Sequence, residues 1–263
     1  MRPIASLPVE VAGGLDGLLF DLDDTVLTHG VLTREAYDAI WSLHEAGLKL
    51  VAVTGRPSGW GEVVARQWPI DGAVTENGAV HVVREGHGVS ILFDGDAAAV
   101  AERRARLDAL VTTVARAMPT VRLADDNHAR RSDVAWDINE RDHLSPECVE
   151  ELAALVVAAG ARTTRSSVHL HASFERDDKA SGVVRFLGSR FGVDAGSALS
   201  RYAFVGDSGN DAACFSAFRT TIGVANVAAY VRTLSVPPRY VTGDPRGAGF
   251  AQLARVLLAA RSR

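Results

Sequence analysis

The sequence predicts an α/β protein: a doubly wound parallel sheet interrupted by an α+β insertion. Three observations carry this expectation. Short apolar runs alternate with helical patterns through the first and last thirds of the chain, as in strands buried on both faces and joined by helices. Polar residues fall immediately after those runs, at Asp21, Thr54, Glu76 and Asp207, the edge of an open parallel sheet where ligands bind. The middle of the chain instead carries strand patterns paired through short loops, with helical patterns between them, which reads as an antiparallel sheet backed by helices.

The first strand is Leu18–Phe20, and it ends at Asp21-Leu22-Asp23-Asp24-Thr25. In extended backbone residues i and i+2 point the same way, so Asp21 and Asp23 can converge on one ligand. Two carboxylates crowded there repel unless a divalent cation shares the site. A nucleophile beside an acid/base and a cation is what aspartyl-phosphate chemistry uses. A helix over about 33–46 follows, with Ala36, Ile40 and Leu43 at helical spacing and Gly47 placed as a C-terminal cap. Lys49–Val53 is a second strand ending at Thr54-Gly55-Arg56, and Ala73–Thr75 a third ending at Glu76-Asn77-Gly78. Beyond the insertion, Lys179 opens a helix carrying Val183, Val184 and Leu187. Tyr202–Val205 then forms a strand ending at Gly206-Asp207-Ser208-Gly209-Asn210-Asp211, and Thr221–Val224 and Tyr240–Thr242 are the last two.

The division this predicts is a core of residues 1–79 and 179–263 and an inserted α+β domain of residues 80–178. The insertion would begin with a hairpin, Val80–Arg84 and Val89–Phe93, then a helix over 97–117. Val121–Leu123 would pair with Ser132–Ile138, Pro146–Ala159 would be helical, and 162–174 would form a further strand pair. Along 132–138, Val134, Trp136 and Ile138 alternate with Asp133, Ala135 and Asp137; along 168–174, Val168 and Leu170 alternate with His169 and His171. One face of that sheet is therefore apolar, against helices, and the other carries acids and histidines.

Composition sets the outer limits. The chain has 263 residues, 47% hydrophobic and 23% charged, with a formal charge of −4, the balance of a folded globular protein with a sizeable core. No global basic footprint exists to hold nucleic acid. The two cysteines, Cys148 and Cys214, lie far apart without metal-ligand spacing, so neither a disulfide framework nor a zinc site is expected. No run reaches the roughly 18 apolar residues of a membrane span, and the first residues lack a secretory pattern. A cytoplasmic protein, monomeric or weakly dimeric, with no nucleic-acid or membrane partner, is the default expectation.

Four pieces in order, Asp21-Leu22-Asp23-Asp24-Thr25, Val53-Thr54-Gly55-Arg56, Lys179 and Gly206-Asp207-Ser208-Gly209-Asn210-Asp211, resemble the motifs of haloacid dehalogenase (HAD)-superfamily phosphatases. The place of the insertion, between the second and third motifs, resembles the class II members with a large α+β cap. Glu76-Asn77-Gly78-Ala79 is similar to the junction of the Cof-like and sucrose-phosphatase-like branch, although Asp24 stands where Cof-like members commonly have glycine. The resemblance implies a HAD-like, Rossmannoid core and a Mg²⁺-dependent hydrolase acting on a small phosphorylated molecule, most simply a sugar or sugar-like osmolyte phosphate.

On that resemblance Asp21 is the nucleophile, and Asp23 protonates the departing alkoxide and then activates water. Thr54 gives a hydroxyl and an amide to a phosphate oxygen, or caps the following helix. Lys179 supplies positive charge to the nucleophile and phosphoryl oxygens. Asp21, Asp23, Asp207 and Asp211 form the implied metal set, oxygen donors of the kind Mg²⁺ prefers. Gly55, Arg56 and Asn77 from the core, with Asp133, Asp137, His169 and His171 from the cap, are the substrate-binding candidates. Arg130 and Arg131 either meet a second anionic group or face solvent. A phosphosugar mutase and a non-catalytic phosphate-binding regulatory protein are the competing readings.

Overall fold

The computed structural model describes residues 1–166 and 168–262. Residue 167, inside the strand pair expected over 162–174, and residue 263 lie outside the described residues. In chain order the elements begin β1 (Arg2–Pro3), α1 (Val9–Gly13), β2 (Gly17–Phe20), β3 (Leu27–Thr28), β4 (Val31–Leu32), α2 (Arg34–Glu45), β5 (Lys49–Val53), α3 (Ser58–Gln67) and β6 (Gly72–Thr75). They continue with β7 (Val80–Glu85), β8 (Gly88–Phe93), α4 (Ala97–Ala117), β9 (Asp133–Asp137), α5 (Pro146–Ala158), β10 (Arg162–Arg165) and β11 (His169–Ser173). The last are α6 (Lys179–Phe191), α7 (Ala195–Arg201), β12 (Tyr202–Gly206), α8 (Ala212–Ala217), β13 (Thr220–Gly223), β14 (Tyr240–Val241) and α9 (Arg246–Arg261).

Among the described residues the large sheet has nine strands in the order β1-β14-β13-β12-β2-β5-β6-β7-β8. From β1 to β6 every pairing is parallel. Side chains alternate through it as a period of two requires. Leu18, Phe20, Leu50 and Ala52 pack on one face beneath α2 and α9, whereas Leu19, Val51 and Val53 pack on the other with Val183, Phe186 and Leu187 of α6 and Phe215 of α8. This is the doubly wound α/β core that the sequence predicts.

The helices begin and end where local chemistry dictates. The Thr33 hydroxyl accepts from the Ala36 N–H at the start of α2, and Gly47 lies just past its end at φ +80°, a conformation open to glycine without strain. Asp178 caps α6 in a reciprocal arrangement with Ser181, fixing the first turn from which Lys179 projects.

One expectation is corrected. The hairpin β7–β8, placed by sequence in the cap from residue 80 onward, extends the large sheet: β7 pairs antiparallel with β6, Val80 opposite Thr75, and β8 pairs with β7. The tight junction at 76–79 folds the chain back on β6, so the nearest partner for β7 is the core edge. The separate α+β module begins only at α4. Its sheet has the order β10-β11-β9, all antiparallel. The segment 121–123 contributes a single bridge, Leu123 to Trp136, instead of a strand. Val134, Trp136, Ile138, Leu170 and Ala172 face Leu107, Leu110, Val114, Val149, Leu152 and Val156 of α4 and α5, and this is a second core independent of the first. Val168 does not join it; the residue lines the cavity described below.

The junction is as tight as backbone allows. Gly78 has φ +109°, and a Cβ there would overlap the carbonyl oxygen of Asp178; a Cβ at Gly182, on α6, would overlap the backbone of Gly78. Gly182→Ala must therefore push α6 off the 76–78 turn, and a loss of about 2–3 kcal/mol is expected in a denaturant titration.

His81 on β7 is buried against Phe186, with ring centroids 5.4 Å apart. Burial first, and then the Arg185 charge, hold its imidazole down at about 4. The unfolded chain keeps the ordinary value near 6.5. Between those values the unfolded state binds the extra proton, so this contribution is intact above pH 6.5 and is lost as pH falls through 4. In His81→Phe that loss, about 2–3 kcal/mol, should disappear when unfolding is compared with the parent across pH 4–7.

Candidate active site

Strands β2 and β12 lie side by side in parallel register, Phe20 opposite Val205, and the Asp21 N–H donates to the Val205 carbonyl at 3.0 Å. The residues that follow the two strands therefore emerge together, Asp21 from one and Asp207 from the other. Asp211, in the short turn after β12, folds back to accept from the N–H groups of Asp207 (2.9 Å) and Ser208 (3.2 Å). Into this group α6 delivers Lys179, whose Nζ lies 2.7 Å from both Asp21 Oδ1 and Asp211 Oδ1. All four side chains are buried.

Three carboxylates against one ammonium leave a formal excess of two negative charges. The consequence is visible on the acids. Burial pushes the Asp21 carboxyl above its usual range, against the pull of Lys179 and with the repulsion of Asp211 and Asp23 added. Burial, with Asp21 and Asp211 beside it, raises Asp207 well above the carboxylate norm. The nearest oxygens of Asp21, Asp207 and Asp211 all lie within 4.8 Å of one another. An all-oxygen set carrying two uncompensated charges fits a hard divalent cation.

Asp23 departs from the expected metal set. The rule that i and i+2 share a face requires extended backbone, and the strand ends at Phe20; residues 23–26 form a turn in which Asp24 has φ +54°. The carboxylate of Asp23 consequently lies on the guanidinium of Arg56, in a bidentate pair at 2.8 and 2.9 Å. That φ also explains why glycine suits position 24. Here the aspartate is held by Arg246 at 2.7 Å. Thr54, fully buried, accepts the Arg56 N–H on its hydroxyl at 3.0 Å; α3 starts later, behind Pro57, so Thr54 is not its cap. Gly55 packs against Asn77, whose Oδ1 is buried without a hydrogen-bond partner among the described residues.

The polar face of the cap sheet lies over these strand ends. A cavity of about 20 Å³ is enclosed between Asp21, Asp23 and Arg56 on one side and Val168, His169 and His171 on the other. This is room for about one water. His171 reaches the cavity with its Nδ1 3.0 Å from Asp133 Oδ2, and His169 Nε2 lies 2.8 Å from Glu140 Oε2. The sequence candidates thus separate. His169 and His171 reach the cavity. Asp133 stands behind His171 and pairs with Arg130. Asp137 turns away to accept the N–H groups of Glu140, Arg141 and Asp142 and does not line the cavity. Arg130 is likewise internal, donating to Asp126, Asp133 and the Gly55 carbonyl.

Several participants escape sequence reasoning. Thr25 donates its hydroxyl to Asp21 at 3.3 Å, and Asn226 donates to Asp207 and to the Asp24 carbonyl, each at 2.9 Å. Thr25 sits inside the first motif, where nothing in the sequence gives it a role of its own; nothing local marks Asn226. Glu76, the first residue of the 76–79 junction, accepts the N–H groups of Ser58, Arg131, Ser132 and Asp133 on one buried carboxylate. It ties the start of the cap sheet to the core.

Residues 18–94 match the family model described as haloacid dehalogenase-like hydrolase. That segment ends one residue past β8, where the chain leaves the large sheet. Among solved structures, a Thermoplasma acidophilum protein superposes with a TM-score of 0.72 at 18% identity, covering 92% of this chain and 98% of that one. The sucrose-phosphatase of Synechocystis, solved with sucrose and phosphate, has a TM-score of 0.66 at 15% identity and covers 92% and 98%. A HAD subclass IIB sugar phosphatase has a TM-score of 0.61 at 16% identity and covers 86% and 93%. No curated protein matches the sequence significantly. The fold of core and cap is thus shared with these proteins along nearly the whole chain.

Lys179 neutralises carboxylates that cannot otherwise be buried together. Lys179→Met should destabilise the metal-free protein by about 3–5 kcal/mol, the cost of leaving buried charges unpaired. Added Mg²⁺ should recover part of that loss, and thermal unfolding with and without the ion reads both effects.

Proposed function

We propose that this protein is a Mg²⁺-dependent phosphomonoesterase that releases phosphate from a small hydroxylated compound, a sugar or sugar-like osmolyte phosphate, through an aspartyl-phosphate on Asp21. The observation that carries this reading is the placement of Asp21: buried, held by Lys179 at 2.7 Å, and open on its other side to the cavity beneath the cap. Asp21, Asp207 and Asp211 would hold the metal, which when bound neutralises phosphoryl oxygens and draws them toward the nucleophile.

The chain's own residues supply the remainder. Lys179 and the backbone amides at the strand ends stabilise negative charge on the transferring group. Asp23, fixed at the cavity wall by Arg56, is placed to give a proton to the departing alkoxide and then to take one from the attacking water. Room for about one water under the closed cap means that substrate enters only when the module built from α4, α5 and its sheet swings away from the core. Closure then excludes bulk water while the phosphoryl group is transferred.

The charges around the cavity bear on the leaving group. Arg56 is matched by Asp23, His169 faces Glu140, and His171 and Arg130 share Asp133, with Asp126 adding to Arg130. No cation facing the cavity from the cap is left without a carboxylate among the described residues. This supports a neutral, hydroxyl-bearing leaving group over a second phosphate or carboxylate, and counts against a mutase, which must also bind a bisphosphate.

Phosphate release from a panel of sugar, polyol, nucleotide and cofactor monophosphates, with Mg²⁺ and with chelator, tests the proposal. Sugar and polyol monophosphates should be hydrolysed only with Mg²⁺, and faster than their bisphosphates. Asp21→Asn should lower kcat by at least about a thousandfold while the unfolding transition remains cooperative. Retained turnover in that variant would remove Asp21 as the nucleophile.

A further inference from the structure

Strand β8 ends the large sheet and pairs on one side only, with β7. Its sequence, Gly88-Val89-Ser90-Ile91-Leu92-Phe93, has neither charge nor proline, the devices that usually keep a sheet edge from pairing with another chain. Leu92 is 45% exposed. The two-residue loop Gly86–His87 closes on the pair Glu85–Gly88, the hydrogen-bonded pair in such a hairpin. Alternation along the ladder then turns the N–H and C=O of Val89, Ile91 and Phe93 away from β7.

We propose that this edge is the interface of a symmetric homodimer in which the β8 strands of two copies pair antiparallel and join their sheets. A two-fold axis through an antiparallel pair must pass at a residue opposite its own copy, and of the three outward residues Ile91 is central. Ile91 then faces Ile91 of the second copy and Val89 faces Phe93.

Two observations favour a second copy as the occupant. The first is charge complementarity. At the hairpin end of β8, Arg66, Arg84 and Arg190 donate, among the described residues, only to backbone carbonyls, those of His87, Arg66 and Arg84. At the other end Asp94 is exposed with no ion-pair partner among the described residues. The antiparallel register sets Asp94 beside the Arg66 end of the second copy, twice over by symmetry. The second is space. A groove of about 780 Å³ opens beside the end of β8, lined by Ile91, Leu92, Phe93, Ala97, Val100 and Arg131, where the register brings the second copy's turn Gly86–His87. Arg104 also borders the groove but is already paired with Asp108.

Sedimentation velocity over about 1–100 μM decides the matter. The parent protein should be dimeric by about 10 μM. Ile91→Pro removes only an outward N–H and suits an edge strand, so it should raise the dimer dissociation constant at least about tenfold with an unchanged thermal transition. Leu92→Lys, at an exposed position, should do the same through charge and decides alone if the proline variant unfolds. A parent that stays monomeric to about 100 μM overturns the proposal, as does a dimer equally tight in the folded variant. Since the test does not involve turnover, its failure leaves the catalytic proposal untouched.

Discussion

The structure turns on the Lys179 ammonium held between Asp21 and Asp211 at 2.7 Å to each. An ammonium desolvated this completely survives only because two carboxylates meet it, and the carboxylates tolerate burial only because it is there. The three partners come from β2, from the turn after β12 and from the first turn of α6, so this interaction fixes how these three parts of the chain meet. Capping by Asp178 and Ser181 and the glycine contact between Gly78 and Gly182 serve the same end: they set the start of α6 close enough for Lys179 to reach. The charge left over after this pairing is negative, and it defines a place that suits a divalent cation.

Around that centre the molecule divides its tasks physically. The parallel sheet presents side chains from several strands at one edge because every strand ends there in the same direction. The cap has its own apolar core of Trp136, Leu152 and their neighbours, so it holds its shape as a body. Its attachment to the core is polar and local. Glu76 gathers four backbone N–H groups, and Arg130 reaches the Gly55 carbonyl. Polar ties of this kind exchange readily with water when a cap opens, whereas an apolar interface would resist opening.

Much of this was legible in the residues. Burial on both faces forces β2, β5 and β12 to be continuous apolar runs, and the residues that follow them are polar because they line a site; both signals are local. The same holds for the cap sheet, where alternation of Val134, Trp136 and Leu170 with Asp133, His169 and His171 assigned the two faces. A local rule fails where it is extended past its range. Strand geometry would turn Asp23 to the same ligand as Asp21, yet the strand has already ended and Asp23 meets Arg56. Alternation puts Asp137 on the polar face, although a turn three residues later claims its carboxylate. Chain position places the hairpin β7–β8 with the cap, whereas proximity to β6 decides its partner.

The sequence by itself determined the α/β class, the order of strands and helices, and the placing of Asp21, Lys179 and the acids after β12 among the site candidates, because each depends on burial periodicity or on residue types within a few positions. Only the tertiary structure decided that Asp23 pairs with Arg56, that Asn226 and Thr25 support the acids, and that His169 and His171, but not Asp137, reach the cavity. Those outcomes depend on contacts between residues tens to hundreds of positions apart and on competition among several carboxylates for the same cations. Such a competition is settled by distance and desolvation in the folded chain, and neither quantity exists until the chain has folded.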